Sequence, residues 1–168
     1  MKNILLASAL FALIPAAQAQ SEALYMPESS ITIETAGGDI SLTVEVADDP
    51  EETATGLMFR EGIADDHGMI FDFGIPREPN MYMRNVPFAI DMVFMNEEGV
   101  VMAITAHAQP FSERHINPGF PVKSVLELAD GQAAAFGIRP GDVIRHEIFG
   151  NAVEPAATSE VEEEAIEE

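Results

Sequence analysis

The sequence predicts a mainly β domain, a small closed barrel or sandwich of about eight short strands with two short helices. Three observations carry this. Apolar and polar residues alternate with period two in short runs, the pattern of half-buried strands. The runs are separated by turn-forming clusters, Gly37-Gly38, Asn96 to Gly99 and Arg139-Pro140-Gly141-Asp142, where a parallel α/β sheet would need long helices. With 168 residues, 47% of them hydrophobic, and no Cys, one domain must stand on its core alone. A chain of this size can do so, since it buries on the order of 70% of its unfolded surface. Closing the sheet would also hide its edges.

In chain order, residues 1–20 come first, with Lys2, an apolar run from Ile4 to Ile14, Pro15 and the small triplet Ala17-Gln18-Ala19. This reads as a secretory signal peptide cleaved near Ala19, so the expected location is periplasmic or secreted. The run is short for a membrane span, later stretches are no longer, and no Cys follows the cleavage point, so no membrane anchor is expected in the mature protein. Residues 20–153 are the expected single β-rich domain. Ile31-Thr32-Ile33 and Ile40 to Val46 alternate around Gly37-Gly38, which predicts a hairpin. Asp49, Pro50 and Glu52 supply an N-cap, a first-turn proline and a capping-box acid for a short helix ending near Gly56. Further strands are expected at Met69–Phe73, Met81–Arg84, Ile90–Met95, Val100–Ala106 and Val122–Leu128. Asp130 is placed to cap a helix over Gln132–Phe136, ended by Gly137, and the turn at Arg139–Asp142 launches a last strand, Val143–Phe149. From Glu154 the chain carries seven Glu and no basic residue, a composition that predicts a disordered acidic tail over 154–168.

The formal charge is −21, from 8 Lys+Arg against 29 Asp+Glu. Without leader and tail, residues 20–153 still hold seven basic and 22 acidic residues, so the acidity belongs to the domain. Such a surface repels phosphate backbones and anionic lipid, which excludes a nucleic-acid-binding class at the first test. No Cys nucleophile, G-x-S-x-G elbow, H-E-x-x-H helix or phosphate-binding glycine loop is present, so no cofactor is implied and catalytic residues are not identified.

The ordered set Gly56-Leu57-Met58-Phe59-Arg60, Gly68 to Phe73, Met83-Arg84-Asn85, Ile90 to Phe94, Val125 to Leu128 and Gly137 to Asp142 resembles the family called domain of unknown function 192. The resemblance spans about 45–148. It implies a single compact β-rich domain, commonly exported in bacteria, and no established activity. Members usually carry aromatic residues just before the Met-basic-Asn stretch, where this chain has Met81 and Tyr82, and Thr where it has Val86.

Polar residues set into apolar strands are the candidate site. Asn85 and Asp91 stand among Phe88, Ile90, Val93 and Phe94. Arg60 follows an apolar loop, and Glu127 interrupts Val125-Leu126-Glu127-Leu128. A buried polar group left unpaired costs about 1–3 kcal/mol, so such groups either recognise something or pair with one another. An Arg60–Glu127 or Arg60–Asp91 ion pair that fixes the fold, and Asn85 capping a turn, are the structural alternatives. The leading expectation is a binding module for a small polar ligand or cell-envelope component, using Arg60, Asn85, Asp91 and Glu127 with apolar walls from Met58, Met83 and Phe94. One alternative is a hydrolase working through an Asp91/Glu127 carboxylate pair. Another is a copper-binding protein in which Met81 and Met83 share a strand face, with His67, His107 or His115 nearby, although Met is more often a core filler. Asp142 reads simply as a turn residue.

Overall fold

Ile31 and Ile33 in β1 (Glu28–Thr35) face Leu42 and Ile40 of β2 (Gly38–Ala47) across the expected hairpin, in the computed structural model that describes residues 22–152. The leader and tail read from the sequence lie outside the described residues. The capping box that starts α1 (Pro50–Thr55) forms as read. Asp49 accepts from the Glu51 and Glu52 N–H groups at 2.8 Å each, and Glu52 accepts from the Asp49 N–H at 3.3 Å. This helix carries the chain across to β3 (His67–Arg77), which runs parallel to β2. β4 (Ile90–Met95) and β5 (Val101–Ala108) form the second hairpin, β6 (Val122–Ala129) inserts between β3 and β4, and β7 (Val143–Arg145) pairs with β1.

The sheet order is therefore β5-β4-β6-β3-β2-β1-β7, and its ends curl toward each other until they touch. Val100, just before β5, bridges Val143 of β7. The Val101 N–H donates to the Asp142 carbonyl and the Ile144 N–H to the Gly99 carbonyl, both at 2.8 Å. This seam makes the sheet barrel-like and pairs strand edges that would otherwise attract other chains.

Period-two alternation then sorts the apolar residues into two cores. Inside the barrel are Ile31, Ile33, Val44, Ile70, Val93, Leu126 and Ile144. On the outer face of β3, β6 and β4 are Met69, Phe71, Met92, Phe94 and Val125, which would meet water if nothing covered them. They are covered by the segment after α1, carrying Leu57 and Met58, and by Met83 and Val86 before β4. This second layer creates the site.

Seven strands form among the described residues, and three local expectations are corrected. Met81–Arg84 alternates like a strand but is held only by one bridge, Met81 to Ile116, and a single bond from the Met83 N–H to the Ser112 carbonyl, and Asn85 ends it in a left-handed conformation (φ 59°). The last strand stops at Arg145, because the His146 ring accepts from the Ile148 N–H and turns Glu147–Phe149 into a 3-10 turn. At α2 (Gln132–Ala135) the N-cap is Gly131, and Asp130 bonds His107 instead.

Candidate functional site

The strand register decides which polar residues can meet. Glu127 lies opposite Met69 on one side and Met92 on the other, so its side chain shares their outer face of the sheet. Asp91 lies opposite Leu128, one residue along, and therefore faces the barrel interior side. The Asp91/Glu127 carboxylate pair is thus split across the sheet. Two groups on opposite faces cannot share a substrate, and the hydrolase reading built on them falls.

Glu127 is 4% exposed in a strand whose neighbours Val125, Leu126 and Leu128 are fully buried. Among the described residues nothing donates a hydrogen bond to its carboxyl or pairs with it. Loss of hydration alone raises its pKa from 4.5 to about 8, because burial penalises the charged form. At pH 7 the group is therefore mainly a neutral acid, about ten to one. It lines a cavity of about 60 Å³ together with Gly56, Leu57, Met58, Phe71, Met81 and Val86 and the polar Thr53, Thr55, Asn80 and Tyr82. Gly56 is needed there. Its φ is 49°, and a Cβ at this position would lie 2.9 Å from Cζ of Phe71.

A wider chamber of about 370 Å³ adjoins this cavity and shares Thr55 and Met58 with it. Leu24, Phe59, Arg84 and Asn85 line it, with Glu22 and Glu51 at its margin. Phe59 and Asn85 both hold left-handed backbones (φ 63° and 59°), and the Phe59 N–H donates to the Asn85 carbonyl at 2.8 Å. A left-handed Phe costs about 1–2 kcal/mol, and such strain concentrates where a site is shaped. The Asn85 amide nitrogen also lies 3.9 Å from the Met58 sulfur. Arg84 rests over the Tyr82 ring, 4.9 Å from its centre.

Of the residues singled out in the sequence, Glu127 thus lines the smaller chamber, Asn85 the wider one and Met58 both. The other four do not line them. Arg60 neither reaches Glu127 nor Asp91: its guanidinium forms a two-pronged pair with Glu45 (Nη2 to Oε2, 2.7 Å; Nη1 to Oε1) and donates to the Leu24 carbonyl. Tyr25 stacks on it at 4.2 Å, and Glu45 also accepts from the Met26 N–H at 2.7 Å, so the pair straps residues 24–26 onto β2. Burial pushes the Glu45 carboxyl up, but the bonds from Arg60 and Met26 outweigh it and hold it below its usual range. Asp91, wholly buried, accepts from the His107 N–H at 2.9 Å and from the Ala133 N–H at 3.0 Å, tying β5 to α2. His107, Asp91 and Asp130 have side-chain ligand atoms within 4.8 Å of one another, but these atoms already serve the fold. The His107 ring bonds Asp130 at 2.7 Å, which raises the His107 pKa. Met83 and Phe94 are fully buried in the outer core rather than in a pocket wall. The Met81/Met83 pair is divided accordingly, since Met81 lines the cavity and Met83 packs beneath it.

Sequence reasoning did not identify Glu45, Phe59, Phe71 or Val86. Glu45 sits in a clean alternation that reads as solvent-facing, and Phe71 and Val86 read as ordinary core. The local hints were Gly56 and Asn85, two residue types that tolerate positive φ.

Fold and cavity together define a small barrel-like β domain with a recess between the outer face of its sheet and the segments that cover it. The chain belongs to the family domain of unknown function 192, described as "Uncharacterized ACR", whose model matches residues 31–146. It is similar to a crystal structure of a protein from Sinorhizobium meliloti 1021, provisionally described as a transcription regulator: 38% identity, covering 76% of this chain and 99% of that one, with a TM-score of 0.72. It is also similar to a protein of unknown function from Novosphingobium aromaticivorans DSM 12444: 33% identity, 80% of this chain and 94% of that one, TM-score 0.70. No curated protein sequence matches it.

Proposed function

We propose that the protein is a small-ligand binding module whose ligand enters through the wider chamber and seats its polar group on Glu127. One observation carries this reading: the carboxyl of a residue only 4% exposed, with no hydrogen-bond partner among the described residues, lines a cavity. Buried polar groups in folded proteins are almost always satisfied, so one aimed unpaired into a cavity calls for a ligand or ordered water to complete it. Phe59 and Asn85 support the reading, because their strain shapes the chamber at the mouth. The leader-like residues 1–19 support a place outside the cytoplasm, where the ligand would be a small solute or a piece of the cell envelope. Transcriptional regulation is not carried over from the Sinorhizobium protein, since a chain of formal charge −21 repels a phosphate backbone.

The test is the intact mass of protein purified gently from its native host, under native and then denaturing conditions. An added organic mass that disappears on denaturation is expected, and Thr55→Trp, which sets a large ring on the wall that both chambers share, should lose it. The same added mass on that variant, or none on the native protein, contradicts the reading.

A further inference from the structure

We infer that the group seated on Glu127 is a protonated amine carried on a short apolar stem. This rests on the binding-module reading and narrows it to a ligand class. Glu127 lacks the partner that its counterparts have. The enclosed carboxylates of the described residues come with donors: Glu45 with Arg60 and the Met26 N–H, Asp91 with two backbone N–H groups, and Asp72 with Lys123 at 2.7 Å. Glu127 has neither cation nor backbone donor, and a ligand N–H⁺ supplies both charge and hydrogen bonds.

Size and lining agree. A cavity of about 60 Å³ admits only a few heavy atoms. Leu57, Met58, Phe71, Met81 and Val86 suit an alkyl stem, and thioether and aromatic surfaces accommodate an ammonium better than an anion. Outside, Glu22 and Glu51 border the wider chamber, and Arg84, the one cation among its described lining residues, is held over Tyr82. A ligand carboxylate would bring like charge to that rim, and would leave Glu127 no cation with which to ionise.

Proton balance makes the inference testable. The ammonium enters charged and Glu127 releases its proton to solvent, so a neutral ion pair replaces a neutral acid. The groups facing Glu127 are Met69 from β3, Met92 from β4, Thr53 to Thr55 at the end of α1, and the 80–86 segment, whose one titratable group at the cavity is Tyr82. Release is therefore governed by Glu127, whose pKa is raised to about 8. Ammonium affinity should rise about tenfold per pH unit below that value and level off above it.

The experiment titrates the purified protein with n-butylammonium, n-butanol and n-butyrate at pH 6, 7 and 8, following methyl NMR signals of Met58, Met81 and Val86. Butylammonium should perturb these signals with a Kd that falls about tenfold from pH 6 to pH 7, and Glu127→Gln should flatten that dependence. Butanol binding as tightly as butylammonium, or an affinity that is flat or falls with pH, overturns the amine while leaving the binding module standing. No response to any of the three also overturns it, and the native-mass experiment then judges the module on its own.

Discussion

Replacing Glu127 with Gln should stabilise the ligand-free protein, and by an amount that depends on pH in a definite way. In the folded chain the carboxyl keeps its proton to about pH 8, whereas an unfolded Glu releases it near 4.5. Between those values the native state binds one more proton than the unfolded state, so stability falls as pH rises, by about 1.4 kcal/mol per unit. From pH 5 to pH 7 the native protein should lose about 3 kcal/mol relative to Glu127→Gln, which keeps the shape of the neutral acid and cannot ionise. For a domain of this size that is a Tm gap of roughly 10 °C at pH 7, closing to little or nothing near pH 4.5. Other titrating groups are common to both proteins and cancel in the difference. Urea denaturation of the two proteins at half-unit pH steps measures it. Parallel profiles, or a gap that widens toward acid, would show that Glu127 does not hold its proton in the fold.

Removing Arg60 (Arg60→Ala) should cost about 3–5 kcal/mol in urea denaturation, because it strands the Glu45 carboxylate, 13% exposed, without its partner, and Arg60→Met with Glu45→Leu should recover most of the loss. Since the Glu45 pKa is lowered in the fold, the pair's contribution is present above pH 4.5 and fades as pH falls below it, so the Arg60→Ala penalty should shrink in acid. Asp91→Ala removes the acceptor of two backbone N–H groups and should cost about 3–5 kcal/mol, while the variant that remains folded binds butylammonium as the native protein does. Gly99→Ala should be worse than Gly131→Ala in a thermal melt. Both have φ near 80°, worth about 1–2 kcal/mol of strain, but only at Gly99 does the added Cβ collide with the Ile144 carbonyl at the barrel seam.

Local features were legible in the sequence wherever a few neighbouring residues decide them. Asp49, Pro50 and Glu52 specify their capping box within one turn, and the apolar run Ile90–Met95 is a strand with its ends where the sequence puts them. Met81–Arg84 fails because period-two alternation is only half of a strand; the other half is a partner edge, and this segment bridges one residue. The site was legible by residue type and not by pairing. Glu127 is conspicuous in an apolar strand, as is Asp91, but the face each one takes follows from register with Met92 and Leu128, set by contacts tens of residues away. Arg60 illustrates the same limit. Its partner Glu45 lies in a hairpin where alternation makes it look solvated, and the N-terminal strap that buries the pair has no periodic signature. The left-handed Phe59 has no sequence signal at all, because its conformation is fixed by the bond to Asn85.

The most direct test is the titration of the Glu127 side chain itself, read from its carboxyl ¹³C chemical shift in the ligand-free protein between pH 3 and pH 10. A midpoint near 8 is expected, with the carboxyl neutral and without a partner at pH 7. A midpoint near 4.5 would show the group already satisfied, and the claim that this cavity is built around an unpaired acid would fail.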